Sequence, residues 1–511
     1  MIPSHVDVKH LKALTVVLER AKKCAGQLGQ RNIWYSGNPC NHPSKFLEEL
    51  KVLKAHKETL LRLCKSLQKR ILILQTPCND ITRQAGIKTL PSEVLSQIFI
   101  FSYVGSRDNQ QAIHLSHVCR QFRSIALQTP ALWTHLHNER PLPETEEFLR
   151  RSGSSPLTTT CSTGLMYWPE LFAEFLANIS SHSLRWSEVE LRLEDARLIT
   201  DNDERENGLA HYRPNLPLPN LTSIHHTYSD DFFHSQWEPW FDTPWLLPAL
   251  RSYTAVNFMP KSDILSGRIT RFSVSWERSY LLDDLSYINL VSFIHILDEV
   301  KTLQHLSFSF IDIPFESQHN DLPTATLPNV TTFVLMAKGG PEVEHSIDSL
   351  LSNLKLPNLE NMSWSVVVTN ALGHDLPSML GWLIPSAKLR RLHLEDHSRL
   401  PHALETIIRR CTSLVDLTLC IPNADLFSKT YRNRGWGDTF ARRFPLQILT
   451  LKDCDAVTRD ELQYLLDTLR RGPNWDTFRR LEVNCCKRLS EDFLLAIEDR
   501  ADGKLKWTTP F

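Results

Sequence analysis

A short apolar pattern recurs through the second half of the sequence and restricts the fold more than any other feature. It places apolar residues at its first and fourth positions and, in nine of eleven copies, a large apolar residue at its sixth. From Leu303 onward, successive copies begin 27, 29, 30, 25, 32 and 32 residues apart. The eleven copies begin at Trp186, Leu221, Leu250, Ile269, Leu303, Val330, Leu359, Leu389, Leu414, Leu446 and Phe478. One such unit cannot bury its own apolar residues, so we expect the copies to stack on one another.

The segments between the copies include helical patterns, such as SYINLVSFIHILDEV at 286–300 and RDELQYLLDTLRR at 459–471. A strand followed by a helix at this period is typical of a leucine-rich-repeat-like solenoid, in which the strands line a concave surface. The asparagine that usually follows such a strand is mostly missing, although Asn257 and Asn484 occupy comparable places. An ordinary α/β domain with short strands is the alternative.

The first part of the chain has a different periodicity. From 46 to 74 the apolar steps alternate between four and three residues over four heptads, which is the seam spacing of a coiled coil or a helical hairpin. The seam residues are Phe46, Leu50, Leu53, Lys57, Leu60, Cys64, Leu67, Ile71 and Leu74. Residues 6–28 have the same spacing, and a helix-breaking segment at 30–44 separates the two, while a polar stretch at 76–88 predicts a linker. Two interpretations stay open: an antiparallel hairpin within one chain, and a homodimer that pairs through 46–74.

Composition and charge narrow the possible partners. The 511 residues carry a net charge of −1, so we expect neither nucleic acid nor an acidic membrane surface as a partner. The eleven cysteines are scattered without a CxxC spacing, which favours reduced thiols and a cytoplasmic or nuclear location. The first residues are charged and lack the apolar core of a signal peptide, and no apolar run is long enough to predict a membrane span.

The common catalytic and metal-binding motifs are missing from the sequence. The seventeen glycines form no phosphate-binding or nucleophile-elbow pattern, and HExxH does not occur. The adjacent Cys485 and Cys486 are better explained as small residues of a repeat turn than as catalytic thiols. His114 and His117 have no carboxylate or further histidine placed near them by the sequence to complete a metal site. We therefore expect no enzyme activity, no catalytic residue, no metal and no cofactor.

A short segment between the helical arm and the repeats is rich in apolar residues. The stretch LPSEVLSQIF at 90–99 begins a helix at Pro91, where the missing N–H costs nothing. The stretch HLSHVCRQFRSIALQTPALWTHL at 114–136 predicts a second helix over 114–127, which Pro130 ends. A unit this small cannot bury so much apolar surface alone, so the excess is expected to contact neighbouring segments or another protein.

This segment resembles an F-box, whose pattern runs L-P-x-E-[IV]-L-x-x-I-F, then L-x-x-V-C-x-x-[WF]-R-x-x-A, then P-x-L-W-x-x-[LI]. The matching residues are Leu90, Pro91, Glu93, Val94, Leu95, Ile98, Phe99, Leu115, Val118, Cys119, Arg123, Ala126, Pro130, Leu132, Trp133 and Leu136. Phe122 stands where tryptophan is commoner in the pattern. Together with FLRRSGSSPL and SHSLRWSEVELRL further on, the chain is similar to the F-box-like proteins that abound in mushroom-forming fungi. Those proteins have a helical N-terminus and a leucine-rich-repeat-like C-terminal half.

The resemblance implies a role in protein ubiquitination. F-box helices dock on a Skp-family adaptor, which links them to a cullin–RING ubiquitin ligase, and the C-terminal domain holds a protein substrate. The residues expected at or near the adaptor contact are Leu90, Pro91, Val94, Leu95, Ile98 and Phe99. Those expected to pack the F-box and complete the adaptor-binding surface are Val118, Cys119, Phe122, Leu132 and Trp133. The other interpretation is a non-enzymatic interaction scaffold with a helical oligomerisation arm and no ubiquitin ligase role.

Together these features predict an α+β protein of several domains. A helical hairpin or coiled coil occupies 1–80, an all-α F-box 87–137, a connector 138–183, an α/β leucine-rich-repeat-like solenoid 184–503 and a tail 504–511.

Overall fold

The computed structural model describes residues 12, 15–20, 43–104, 110–162, 169–193, 216–228, 247–257, 259–260, 265, 268–277, 290–312, 322–368, 388–397, 402–427 and 445–509. The chain divides into two compact units, residues 1–98 and 99–511. Within the described ranges, no helix has both the length and the apolar character that crossing a membrane requires.

One long helix, α1 (Pro43–Thr89), makes up most of the described part of the first unit. It is 47 residues long and continues through Pro77. The linker predicted at 76–88 is therefore wrong. Proline inside a helix removes one backbone hydrogen bond and can kink a helix without ending it. Residues 15–20 are also helical, but most of the predicted 6–28 helix and of the turn at 30–44 lies outside the described residues.

The seam predicted along α1 is not its buried face. Leu50, Cys64 and Ile71 are exposed, whereas His56 and Thr59 of the same helix are buried. A seam packed against a hairpin partner in the same chain would bury the first three.

Helix α2 (Ser92–Val104) begins the apolar segment that resembles an F-box. The second helix predicted there is in fact two short helices, α3 (Gln110–Val118) and α4 (Arg120–Leu127). A 3₁₀ turn at Pro130–Trp133 follows, and then α5 (Leu142–Ser152) and α6 (Pro169–Ser180). The predicted helix is interrupted because Cys119 takes an extended conformation, with φ −159° and ψ 172°.

Most of the second unit is built on one parallel sheet of fourteen described strands. They are β1 (His135–His137), β2 (Leu157–Ser162), β3 (Trp186–Leu193), β4 (Ser223–Tyr228), β5 (Ser252–Val256), β6 (Arg271–Glu277), β7 (His305–Ile311), β9 (Thr332–Gly339), β11 (Asn361–Val368), β12 (Arg391–Asp396), β13 (Asp416–Cys420), β14 (Ile448–Lys452), β15 (Arg480–Asn484) and β16 (Leu505–Thr508). Two short strands, β8 (Ala325–Thr326) and β10 (Leu354–Lys355), pair separately. Each strand of the large sheet pairs in parallel with the next one along it.

Helices connect several of the strands. They are α7 (Leu290–Glu299), α8 (Pro341–Ser352), α9 (Ala403–Arg410), α10 (Arg459–Arg471) and α11 (Glu491–Glu498). Parallel strands need such crossover connections, because the chain must return to the same end of the sheet before the next strand begins.

Every second residue of these strands points into the core. In β7, Leu306, Phe308 and Phe310 are buried, while the residues between them are half-buried. The Phe310 ring stacks on Trp276 of β6 with 5.5 Å between ring centroids, and Phe308 meets Phe293 of α7 at 5.1 Å. Helix α7 therefore packs on the buried face of the sheet, and rows of large side chains run from strand to strand beneath it.

All eleven apolar copies found in the sequence coincide with strands of this sheet, namely β3–β7, β9 and β11–β15. The helix predicted at 459–471 is confirmed as α10. A parallel sheet of this size, with helices between strands, is consistent with a solenoid.

The sheet extends past both predicted boundaries of the strand-rich region. Strands β1 and β2 lie before residue 184, and β16 lies in the predicted tail at 504–511. The connector predicted at 138–183 therefore carries part of the sheet. These outer strands lack the triple apolar pattern, because β1 is only three residues long and β2 is rich in threonine.

Candidate functional site

Helix α2 has two neighbouring apolar faces. Leu95 and Phe99, four residues apart, are buried. Val94, Ile98 and Phe101 follow one another at steps of four and three residues, so they share a face of the helix. They are 42%, 47% and 76% exposed. We call these three residues the α2 stripe, an apolar surface that the chain leaves accessible to water.

The first turn of α2 is set by the residues around Pro91. Pro91 precedes the helix, and its carbonyl oxygen accepts a hydrogen bond from the Leu95 N–H at 3.1 Å. Glu93 lies in the first turn, where the helix dipole favours a negative charge. Pro91 is exposed and Leu90 is half-buried.

The corner between α3 and α4 is a second exposed region of this segment. The Cys119 Sγ accepts a hydrogen bond from the Phe122 N–H at 3.4 Å and so caps α4. Arg123 donates from Nε to the Ser116 carbonyl oxygen at 3.0 Å, which ties α4 to the end of α3. This geometry leaves Val118 63% exposed at the corner, beside the exposed Cys119.

Trp133 is the centre of the buried core beneath these helices. Leu132 and Trp133 are fully buried, and the indole Nε1 donates to the Ala126 carbonyl oxygen at 2.8 Å. The Phe148 ring of α5 meets the indole edge-on at 5.0 Å between centroids, and the Arg151 guanidinium lies over it at 4.4 Å. Trp133 therefore holds α4 against α5 and fixes the framework that carries the exposed residues.

A buried polar network joins the end of this segment to the sheet. Thr160 donates to the Glu190 carboxylate at 3.1 Å, so its oxygen accepts from His135 Nε2 at 2.7 Å. Arg192 pairs with Glu190 at 2.9 Å. Burial alone would raise the pKa of Glu190, but the hydrogen bond and charge of Arg192 outweigh burial and lower it. Glu190 therefore stays ionised at neutral pH and anchors β1 and β2 to β3.

The structure divides the eleven predicted site residues by exposure. Pro91, Val94, Ile98, Val118 and Cys119 are exposed, Leu90 and Phe122 are half-buried, and Leu95, Phe99, Leu132 and Trp133 are buried. The sequence places Leu95 and Phe99 at or near the adaptor contact; in the structure both are buried, and the contact itself stays a prediction. The Phe99 ring instead packs edge-on against Phe122, with 4.9 Å between centroids. Leu132 and Trp133 likewise pack the core and do not form part of the surface.

Phe101 was missing from the predicted contact residues. It is the most exposed of the three stripe residues, at 76%. Its spacing of seven residues from Val94 and three from Ile98 is the signal that would have placed it on the same helix face.

Of the candidate catalytic residues, Cys485 and Cys486 lie directly after β15. Cys486 is buried, and its neighbour Cys485 has a positive φ of 57° at the turn after β15. The buried Cys454 donates from Sγ to the Leu419 carbonyl oxygen of β13 at 3.3 Å. The buried Cys486 donates to the Leu451 carbonyl oxygen of β14 at 3.8 Å. The hydrogen bond between the two thiols raises the pKa of Cys454 and lowers that of Cys486, while burial opposes ionisation of both. Within the described ranges no three histidine, cysteine or carboxylate side chains converge as metal ligands.

Comparisons with known proteins identify one segment of the chain. No curated protein matches the chain. Among solved structures, one chain of the yeast Rad7–Elc1 complex is similar, with 12% sequence identity over 85% of this chain and 90% of that chain. Its TM-score of 0.28 is too low to carry an argument. The family model for F-box-like domains matches residues 87–139, two residues beyond the predicted end. Residues 87–139 are therefore an F-box-like domain.

Proposed function

We propose that the chain is the substrate receptor of a Skp–cullin–RING ubiquitin ligase. The F-box-like domain docks on a Skp-family adaptor, which connects it to a cullin, and the strand-rich region binds a protein substrate. The chain catalyses no step itself. It raises the effective concentration of substrate lysines near the ubiquitin thioester. We propose a location in the cytoplasm or the nucleus, in line with the free thiols among the described cysteines.

The exposed apolar residues of the F-box-like domain carry this proposal. The core of the domain is complete without them, since Leu132 and Trp133 are fully buried. The α2 stripe and Val118 remain in water, although burying a large apolar side chain is worth about 1.5–3 kcal/mol. Protein interfaces have apolar centres in which one aromatic side chain often dominates the binding energy. Phe101 has the exposure and the side chain for that position.

The open face of the sheet supports a protein substrate. Thr254, Ser273, Ser307 and Ser363 lie on the face opposite the core, and all are half-buried. The first three are paired across consecutive strands, and Ser363 continues the same row through β9. A row of short side chains leaves room for the side chains of a bound protein segment.

A binding measurement with the full chain and a purified Skp-family adaptor tests the proposal. We expect the double variant Ile98→Glu/Phe101→Glu to weaken binding by more than about a hundredfold, because two apolar contacts become buried carboxylates. Val118→Glu is expected to weaken binding as well. Leu184→Glu is the matched control, since Leu184 is exposed but lies outside the F-box-like domain. Circular dichroism checks that each variant is folded.

Two outcomes would overturn the adaptor role. One is a folded wild-type chain that does not bind the adaptor at micromolar concentration. The other is a Leu184→Glu variant that loses binding as much as the stripe variant does, because this would show that binding is not localised to the stripe.

A non-enzymatic scaffold is the second candidate, and the exposed seam of α1 favours it. On this account the helix associates with other chains, and the F-box-like domain serves as a structural joint. A folded wild-type chain that self-associates but does not bind the adaptor would favour the scaffold.

A further inference from the structure

From Leu50 to Leu74 the seam residues of α1 are exposed or half-buried. Its first positions are Leu50, Lys57, Cys64 and Ile71, and all four are exposed. Its second positions are Leu53 and Leu60, which are half-buried, and Leu67 and Leu74, which are exposed. From residue 64 to residue 75 every side chain of the helix is exposed.

Exposed apolar side chains are concentrated on this one helix. Eight of the eighteen large exposed apolar residues in the described part of the chain lie on α1. Leu67, Ile71 and Leu74 are 49–62% exposed. Helical stability in water comes chiefly from packing an apolar face, so a bare seam on a helix of this length calls for a partner.

The seam itself fits a second copy of this chain. A repeat of seven residues is self-complementary, because two identical seams interlock when the helices supercoil. In a parallel pair with both chains in register, Glu49 of one copy faces Lys54 of the other, which is an attractive pairing at the flanks of the seam. Lys57 is the one charged seam residue between Leu50 and Leu74, and a single polar residue at this kind of position sets the register.

The cysteines agree with the same register. Cys64 and Cys78 are fourteen residues apart and both fall at first seam positions, and both thiols are exposed. In a parallel pair each first-position residue meets its own copy. In an antiparallel pair first positions meet second positions, so neither cysteine would face its own copy.

We propose that two copies of this chain pair in parallel and in register through the α1 seam, residues 50–74, as a two-stranded coiled coil. This inference does not depend on the adaptor role. The paired segment lies before the F-box-like domain, and substitutions in the seam are expected to leave adaptor binding unchanged.

Sedimentation equilibrium of the full chain tests the pairing. We expect the wild type to be a dimer at micromolar concentration. Leu67→Glu/Leu74→Glu is expected to raise the dimer dissociation constant by more than about a hundredfold, because each chain loses two buried leucines and gains two charges in the seam. The matched control is Leu72→Glu/Ile73→Glu, which makes the same change at exposed apolar residues on the same turns but outside the seam. The control is expected to stay dimeric.

Cross-linking with a short bis-maleimide tests the orientation. We expect a covalent dimer of the wild type that Cys64→Ser/Cys78→Ser abolishes and Cys119→Ser preserves. A wild-type chain that stays monomeric at tens of micromolar would overturn the proposal, and so would a control variant that dissociates as readily as the seam variant. A dimer that gives no cross-link through Cys64 or Cys78 would overturn the parallel register.

Discussion

Asn257 shows how one side chain can link strands that are not neighbours. It follows β5 with a positive φ of 54°, a conformation that asparagine tolerates better than most residues. Its Nδ2 donates to the Tyr228 carbonyl oxygen at 3.1 Å, and its Oδ1 accepts from the Glu277 N–H at 2.8 Å. The side chain thereby joins the ends of β4 and β6 across β5. The sequence places Asn484 comparably at the end of its strand. There, however, the residue with the positive φ is Cys485, one position later.

His226 gives the strand-rich region a dependence on pH. It is fully buried in β4, with Nδ1 3.2 Å from the Tyr253 hydroxyl, and burial lowers its pKa from 6.5 to about 3. Between these two values the unfolded chain binds a proton that the folded chain does not. The free energy of unfolding should therefore fall as the pH decreases through this window, by up to about 1.4 kcal/mol per pH unit. Urea denaturation between pH 4 and 7 measures this slope.

The variant His226→Gln is expected to have a shallower slope than the wild type over the same pH range. Its absolute stability at pH 7 is not the readout, because the substitution also changes packing. His114→Gln makes the same substitution at an exposed position of α3 and serves as the matched control. Equal slopes for His226→Gln and the wild type would contradict the assignment.

At the F-box-like domain the sequence identified the apolar residues but not which of them reach the surface. Val94 and Leu95 are adjacent and chemically similar, yet the first is exposed and the second buried. The family pattern contains both, because it records core and contact residues together. Only the packing of the neighbouring helices separates the two groups.

Helix α10 shows which elements the sequence predicts well. Its amphipathic pattern and its capping residues agree, so its bounds were found to the residue. Thr458 accepts a hydrogen bond from the Glu461 N–H at 3.4 Å, and Glu461 accepts from the Thr458 N–H at 2.9 Å. This reciprocal pair is a capping box, and Glu461 itself is buried.

We expect Thr458→Ala to lower the free energy of unfolding by about 1 kcal/mol, because the Glu461 N–H loses its acceptor and the Glu461 carboxylate loses the Thr458 hydroxyl donor. Ser490→Ala is a matched control. Ser490 begins α11 in the same position, but its side chain makes no capping hydrogen bond. Chemical denaturation compares the two variants. Equal losses would show that the capping hydrogen bond contributes little.

Two features that the sequence missed are too short to show a periodic pattern. Cys119 interrupts the predicted helix at 114–127, although neither glycine nor proline marks the position. Strand β1 has three residues and becomes a strand by pairing with β2. Local periodicity cannot reveal either feature, because neither lasts for a full period.

At the scale of the whole molecule, β16 closes one end of the large sheet. Its Leu505 is buried, and the Thr508 carbonyl oxygen accepts a hydrogen bond from the Cys485 N–H at 2.8 Å. Stacked-repeat proteins need such a terminal cap, since an uncovered edge exposes apolar rows and unpaired backbone groups.

Leu505→Asp is expected to lower the free energy of unfolding by about 3–5 kcal/mol and to promote aggregation, because it places a carboxylate among apolar residues. Lys506→Ser changes the next residue, whose side chain is exposed, and should have little effect. Thermal unfolding and light scattering measure both consequences. A Leu505→Asp variant as stable as Lys506→Ser would mean that the predicted tail is dispensable.

Strand β1 belongs both to the F-box-like domain and to the large sheet. Because neighbouring strands lie about 4.8 Å apart, the thirteen steps from β1 to β16 cover about 60 Å along the sheet. The number of strands that separate β1 from a later strand therefore sets the distance between them along the sheet. Adding or deleting one strand–helix unit moves every later strand by about 4.8 Å along the sheet, whereas lengthening a connecting segment leaves the strand positions unchanged. In a ubiquitin ligase receptor, the reach to a substrate lysine would thus be set by the number of strands and not by the length of the chain.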